Sequence, residues 1–192
     1  MKSLWLTGAF SDKMRASRCA SEHNGIALSS ISDQTNHLPF ASLVLAMTDD
    51  AANFQKQPDL GCYLVTERTI KHNPICDLGP DNQPGIIGIF PMGANPTIGT
   101  KASDAHWRDN HAPLALKIHK TMTHYYQLSI QHRFHGAEWN GFALCCFATE
   151  EDLRYKFFNS AEGQREIARD VAKFADPSQS PRRVVTKMSW KN

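Results

Sequence analysis

The sequence lacks the features that mark membrane, secreted and nucleic-acid-binding proteins. Its 192 residues contain no apolar run near the roughly 18 residues that a membrane helix needs. Residues 1–10 lack the long hydrophobic segment and small-residue cleavage site of a signal peptide. The 21 Lys and Arg residues are scattered and the formal net charge is only +2, so there is no basic stripe for nucleic acid. We therefore expect a cytoplasmic protein with neither nucleic-acid nor membrane partners.

Cysteine, glycine and histidine spacing argue against several kinds of site. The five cysteines are odd in number, which disfavours a disulfide framework, and they include no C-x-x-C pair, which disfavours a structural zinc site. Cys145 and Cys146 lie in an apolar run, so we predict inert burial rather than nucleophilic chemistry. The segment 93–99 lacks the lysine of a phosphate-binding loop. The histidines, among them His106, His119 and His135, do not fall at the spacing of the zinc ligands of a zinc protease. We therefore expect no metal site.

Hydrophobic periodicity in the second half predicts the order βαββαβ of a ferredoxin-like unit. The run 85–92 suits a buried strand, and Ser103 or Asp104 can cap the helix that follows. On that helix one face is shared by Trp107, His111, Leu114 and Ile118.

The rest of this half alternates strand and helix signals. Further strands are predicted at 124–134, 142–148 and 184–190. Thr149 and the acids after it predict a helix start, and this helix is expected to break near Gly163 and to end before Asp176.

The first half follows the same order more weakly. Strands are predicted at 2–9, 25–32, 40–48 and 61–71, with helices at 11–22 and from 49 to 54. The segment FASLVLAMTDDAANF parallels FALCCFATEEDLRYKF, which indicates a degenerate tandem repeat.

These patterns predict an α+β fold of two ferredoxin-like units, at residues 1–76 and 84–192, with a Pro- and Gly-containing linker at 73–84. A sheet with both helices on one face needs cover on its other face. Two such sheets in one chain would cover each other as a pseudo-dimeric α/β barrel, and a homodimer through remaining edges or helices is left open.

The segment WRDNHAPLAL at 107–116 resembles the EthD family of the dimeric α/β barrel superfamily. That family has a W-x-x-x-H-A-P-L helix, a strand, and a DG-strand-acidic-helix segment, which corresponds here to NGFALCCFATEEDL. The resemblance covers about residues 84–190, and Asn140 stands where the family often has Asp, which puts a role for that carboxylate in doubt. The first half lacks the motif, so one site per chain is expected.

The resemblance implies a pocket for a small apolar or aromatic substrate, without a cofactor. Within it, His111 is the foremost candidate for a general acid or base, because an imidazole titrates near neutral pH. The predicted helpers are His132 and Tyr126, placed by strand alternation on the helix-facing side of the sheet. The predicted substrate-binding residues are Trp107, Leu114, Trp139 and Phe142. Alternatively, His111 is structural and binds a carbonyl freed near Pro113.

Three functions follow from the resemblance. The first is proton-transfer lyase or isomerase chemistry (decarboxylation, dehydration or cyclisation) on an aromatic or polyketide-like compound. The second is a non-catalytic accessory protein that binds a small molecule. The third is a cofactor-free monooxygenase like those of related barrels.

Overall fold

A computed structural model describes residues 4–79 and 82–190 of the chain, with residue 190 described by its backbone alone. The first half contains β1 (Leu4–Phe10), α1 (Lys13–Glu22), β2 (Ile26–Ser30), β3 (Ser42–Ala46), α2 (Ala51–Phe54) and β4 (Gly61–Lys71). The second half contains β5 (Ile86–Ala94), α3 (Gly99–His106), α4 (Ala112–Ile118), β6 (Met122–Gly136), β7 (Gly141–Phe147), α5 (Glu150–Tyr155), α6 (Ala161–Phe174), β8 (Ala175–Asp176) and β9 (Val184–Trp190).

Eight antiparallel strands close into a barrel, which confirms the predicted α+β barrel. The strand order is β7-β6-β4-β1-β3-β2-β9-β5, and β5 pairs with β7 to close the ring. The two-residue strand β8 pairs with the end of β5 outside this ring. The halves of the chain meet at two seams, β4 with β6 and β2 with β9.

The barrel interior is packed with side chains. Tyr63 contacts the rings of Trp139 and Phe142, with ring centroids 6.0 and 5.6 Å away, and Phe40 packs edge-on against the same two rings. Because these residues come from both halves and fill the lumen, the barrel serves as the hydrophobic core of the chain.

Two further apolar layers lie between the sheet and the helices. One joins α1 to the first half through residues such as Phe10, Cys19 and Phe54. The other joins α4, α5 and α6 to the second half through residues such as Ile118 and Ile167. In the described part of the chain, no helix is long and apolar enough to cross a membrane.

Most element boundaries lie within two residues of their predicted positions, and two differ more. Residues 2 and 3 of the predicted first strand lie outside the described residues. The helix expected to begin at Ser103 or Asp104 begins at Gly99. The acidic helix breaks before Gly163, because Ser160 caps α6 by accepting a hydrogen bond from the Gly163 amide at 3.0 Å.

The segment between the halves is anchored to the barrel and is not a free linker. Ile75 and Leu78 are buried in the barrel core. The buried carboxylate of Glu67 on β4 accepts hydrogen bonds from the Ile75 amide and the Trp5 indole, each at 2.9 Å. Glu67 therefore ties this connection to the end of the barrel.

We predict that Glu67→Ala destabilises the fold by about 2–4 kcal/mol, because two buried N–H donors lose their acceptor. Urea denaturation measures this free energy of unfolding. Glu166→Ala, which removes an exposed carboxylate 3.9 Å from Lys117, serves as the control and should change it by less than about 0.5 kcal/mol. Equal effects for the two variants would contradict the anchoring role of Glu67.

Candidate active site

The chain between α3 and α4 forms a π-helical turn over Trp107–His111. The Ala112 amide donates to the Trp107 carbonyl, five residues back, where an α-helix would use a carbonyl four residues back. Pro113 has no N–H to donate, so the regular ladder is interrupted here, as the sequence predicted. Such turns are frequent at functional sites.

Polar side chains of the sheet bind the π-helical turn and the adjoining helix α3. Gln127 on β6 donates through Nε2 to the Trp107 carbonyl at 2.9 Å. Ser129, two residues on, donates to Asp104 of α3 at 2.8 Å, and the Arg68 guanidinium pairs with the same carboxylate. These side chains therefore hold the helix against the sheet.

A glycine lets the Trp107 ring lie directly on the sheet. A Cβ atom added to Gly141 would stand 2.6 Å from this indole, far inside van der Waals contact. The neighbouring Asn140 accepts a hydrogen bond from the Ala94 amide through its side-chain oxygen at 2.7 Å. Since either an amide or a carboxylate oxygen can accept that bond, Asn140 fills a structural position that an Asp side chain could also fill.

A cavity of about 320 Å³ lies between the outer face of the sheet, the π-helical turn and α6. Its lining is predominantly apolar and aromatic, and its size is that of a small-molecule site. The apolar wall includes Phe90, Met92, Ala143, Val171, Phe174 and Pro181. The titratable side chains in the lining are those of His111, His119, Tyr125 and Cys145, and Ser180 adds a hydroxyl group.

His111 is buried in the cavity wall and bound to a carboxylate on α6. Its Nδ1 lies 2.9 Å from Oδ2 of Asp170, and the side chain of His106 binds the other carboxylate oxygen at 2.8 Å. The Phe174 ring packs against both imidazoles, with centroids 4.9 Å from His111 and 5.5 Å from His106. One carboxylate thus orients two histidines.

The charges of this pair set the tautomer of His111. Burial acts to raise the pKa of Asp170, but hydrogen bonds from His106 and His111 hold that pKa below its usual range. The carboxylate is therefore ionised and accepts, so Nδ1 of His111 carries the hydrogen. Burial lowers the pKa of His111, against the opposing effect of Asp170. At neutral pH its Nε2 holds a lone pair and can accept a proton.

Nε2 of His111 is the ring nitrogen that Asp170 leaves free. It makes no hydrogen bond within the described residues. It is also not one of the described side-chain atoms that are both unpaired and buried from solvent, so a molecule in the cavity can reach it. Within the described chain, no three His, Cys, Asp or Glu side chains are grouped so as to hold a metal ion. The arrangement can therefore perform proton transfer to or from a molecule in the cavity.

The structure brings together only two of the predicted site residues. Trp107 and His111 both line the cavity. Leu114 is half-buried among the helices and lies outside the lining. Trp139 and Phe142 are buried inside the barrel, on the other side of the sheet.

The expected grouping of His111 with Tyr126 and His132 does not form. Tyr126 points into the barrel, where its hydroxyl donates to the Asn73 carbonyl at 2.9 Å. His132 is exposed at the strand end against Phe134. Strand alternation, with Gln127 counted as a polar residue of the wetter face, predicts that Tyr126 faces the helices, but the Gln127 amide is buried under the helix instead. Tyr125 therefore takes the place at the cavity expected for Tyr126.

Sequence reasoning also missed Asp170. The residues Ile167, Asp170, Val171 and Phe174 fall at helical spacings of three, four and seven. An acid on this otherwise apolar stripe is the signal that could have found it, since a buried carboxylate needs partners. Cys145 is buried in the lining, and burial raises its pKa to about 12, which agrees with the predicted inert thiol.

Comparison with known proteins identifies the half of the chain that carries this cavity. Residues 95–178 match the EthD domain family. The C-terminal half of this chain contains an EthD domain. The π-helical turn, His111 and Asp170 all lie inside the matched segment, and the resemblance seen in the sequence is confirmed. A search of curated proteins finds no match.

One solved structure extends the comparison to the whole barrel. It is described as an anthrone oxidase-like protein, and it aligns with a TM-score of 0.61 at 8% sequence identity. The alignment covers 97% of this chain and 90% of that chain. At this identity the likeness shows a shared fold and no more.

We predict that Asp170→Asn lowers the pKa of His111 further, because the neutral amide no longer favours the imidazolium. NMR titration of the histidine ring protons measures that pKa. The control is Asp109→Asn, which removes an exposed carboxylate paired with Arg108 and should leave the His111 titration unchanged. An unchanged pKa in Asp170→Asn would contradict the coupling.

The lowered pKa values of three buried histidines determine how the free energy of unfolding should depend on pH. Burial lowers the pKa of His111, His119 and His124. The unfolded chain, with histidine pKa values of about 6.5, therefore binds protons more readily than the folded chain. The free energy of unfolding should decrease as pH falls below about 6.5, and His111→Gln should reduce this slope. Urea denaturation between pH 7.5 and about 5 measures it; stability that rises on acidification would contradict the assignment.

Proposed function

We propose that the EthD cavity binds a small aromatic or polyketide-like compound and that His111 is its general acid–base group. The contact that carries the proposal is the 2.9 Å hydrogen bond between His111 Nδ1 and Asp170 at the wall of an apolar cavity. Asp170 is a positioning residue, because it holds the imidazole with Nε2 toward the cavity and stabilises the imidazolium that forms. Trp107 provides a flat apolar surface beside it.

The reaction class we propose is proton transfer, as in a lyase or isomerase, without a cofactor. Nε2 of His111 would remove a proton from an acidified C–H or O–H bond of the substrate and return it at another atom. Decarboxylation, dehydration and cyclisation of polyketide-like compounds all include such a step. We keep the cytoplasmic location and the homodimer as predictions, the latter to be measured by sedimentation velocity.

We also propose that the chain is a tandem of ferredoxin-like units, at residues 1–76 and 84–192. The strand order β4-β1-β3-β2 in the first half supports this, because β9-β5-β7-β6 in the second half repeats it. Each half has the order βαββαβ apart from the added β8 and the divided helices.

Anthrone is a suitable test compound, since its methylene protons are acidified by an aromatic ketone. We expect the protein to accelerate deuterium exchange at this methylene, measured by mass spectrometry. His111→Gln should slow the accelerated exchange by about 10²- to 10⁴-fold, because the amide cannot take up the proton. His135→Gln, at an exposed position on the same barrel, is the matched control and should exchange at the wild-type rate.

Two outcomes would contradict the proposal. Wild-type exchange in a correctly folded His111→Gln variant would exclude His111 as the base. Binding of anthrone without any acceleration would instead favour a non-catalytic accessory protein with a structural His111.

A second candidate is oxidation by molecular oxygen, favoured by the fold shared with the anthrone oxidase-like protein. Proton removal by His111 would give the enolate, which one O₂ would oxidise to the quinone; the second oxygen atom of O₂ leaves as one water, which takes up the remaining methylene hydrogen and the proton returned by His111. Oxygen uptake of one equivalent per anthrone, lost in His111→Gln, would support this reaction over simple proton transfer.

A further inference from the structure

A second imidazole, that of His119, lies in the cavity wall beyond His111. His119 follows the last residue of α4, and its side chain is almost fully buried. Its Nδ1 lies 2.6 Å from the Phe157 carbonyl oxygen. A carbonyl oxygen can only accept, so Nδ1 carries the hydrogen and Nε2 of the neutral ring holds a lone pair.

The orientation of His119 is fixed by the segment that follows α5. The rings of Phe157 and Phe158 pack against the imidazole, with centroids 4.3 and 5.4 Å away. The Asn159 amide donates to the Ile118 carbonyl at 3.2 Å and joins the segment to the end of α4. His119 is therefore held before a ligand arrives.

Nε2 of His119 has no hydrogen-bond partner within the described chain. Like Nε2 of His111, it is not one of the described side-chain atoms that are both unpaired and buried from solvent. Trp107, His111, Ala115 and His119 all line the cavity at a spacing of four residues. Burial lowers the pKa of His119, and a positive charge on His111 would lower it further. The cavity thus presents two separate hydrogen-bond acceptors in an apolar wall.

We propose that His119 selects the substrate by accepting a hydrogen bond from a hydroxyl group, so that the ligand is a hydroxylated aromatic, a phenol or its enol equivalent. This inference rests on the proposed function, in which the cavity binds an aromatic compound and His111 transfers its proton. An apolar wall with oriented acceptors favours a planar ligand that brings its own donor, because a hydroxyl buried without an acceptor is penalised.

The test compares 2-naphthol with 2-methylnaphthalene, which has nearly the same shape and no hydroxyl. Wild-type protein should bind 2-naphthol about ten-fold more tightly in a fluorescence titration, as expected for one hydrogen bond in an apolar site. His119→Leu should reduce the ratio of the two Kd values to near one while the Kd for 2-methylnaphthalene changes by less than about three-fold. His135→Leu is the control and should keep the wild-type ratio.

The outcomes separate this inference from the proposed function. If His119→Leu keeps the preference and His111→Leu loses it, His119 is not the selecting group, although the cavity still binds aromatics. If neither compound binds wild-type protein, the proposed function itself fails. Should His119→Leu not fold, ¹⁵N NMR of the wild-type protein decides: the His119 Nε2 resonance must shift with 2-naphthol and not with 2-methylnaphthalene, and the absence of that difference overturns the inference.

Discussion

The packed barrel interior is the constraint on which the position of the site depends. Aromatic side chains from both halves, among them Tyr63 and Phe142, fill the space that a larger barrel would leave to a ligand. A cavity can then form only on the outer face, where helices stand off from the sheet. The helices that cover this face must leave a gap and still pack against the sheet. The π-helical turn and α6 do both, because they line the cavity and bury apolar side chains beside it.

Asp170 joins these two elements. A carboxylate on the apolar face of a helix would be unfavourable alone, and here it receives one hydrogen bond from each of two imidazoles. The same bonds attach α6 to α3 and to the π-helical turn, and they orient His111 toward the cavity. The group that serves the chemistry we propose is thus also a structural contact, so neither role excludes the other for His111.

The sequence predicted the strands well because their signal is local. The bounds of β4 and β9 agree with the prediction to the residue, and Thr149 caps α5 by accepting from the Asp152 amide at 3.1 Å. Which face of β6 meets the helices could not be predicted in the same way. The alternation of residues defines two faces of the strand, and polar side chains normally lie on the face exposed to solvent. Gln127 is an exception, because the π-helical turn supplies a carbonyl partner that lets its amide be buried.

The site residues could likewise be predicted only where they lie on one helix, because only then is their pattern local in the sequence. Trp107 and His111 share a local pattern, so both were found, whereas Asp170 comes from α6, 59 residues after His111. For His119 the sequence pattern predicts no more than that it does not bind a metal. Its function depends on the Phe157 carbonyl, which no sequence pattern for a histidine reveals.

The difference between the halves explains why the described residues of the first half form no counterpart of this site. Between its third and fourth strands the first half has only the four-residue helix α2, where the second half has α5 and the fourteen-residue helix α6. The outer sheet face beside α2 carries a depression lined by residues such as Leu6, Met47 and Phe134, and no histidine is among its described lining. Without a long helix there is neither a roof for a cavity nor a position equivalent to Asp170 from which to orient an imidazole. The first half therefore contributes the other four strands of the barrel, and it touches the site through Arg68 of β4, which pairs with Asp104 and lies over the Trp107 ring.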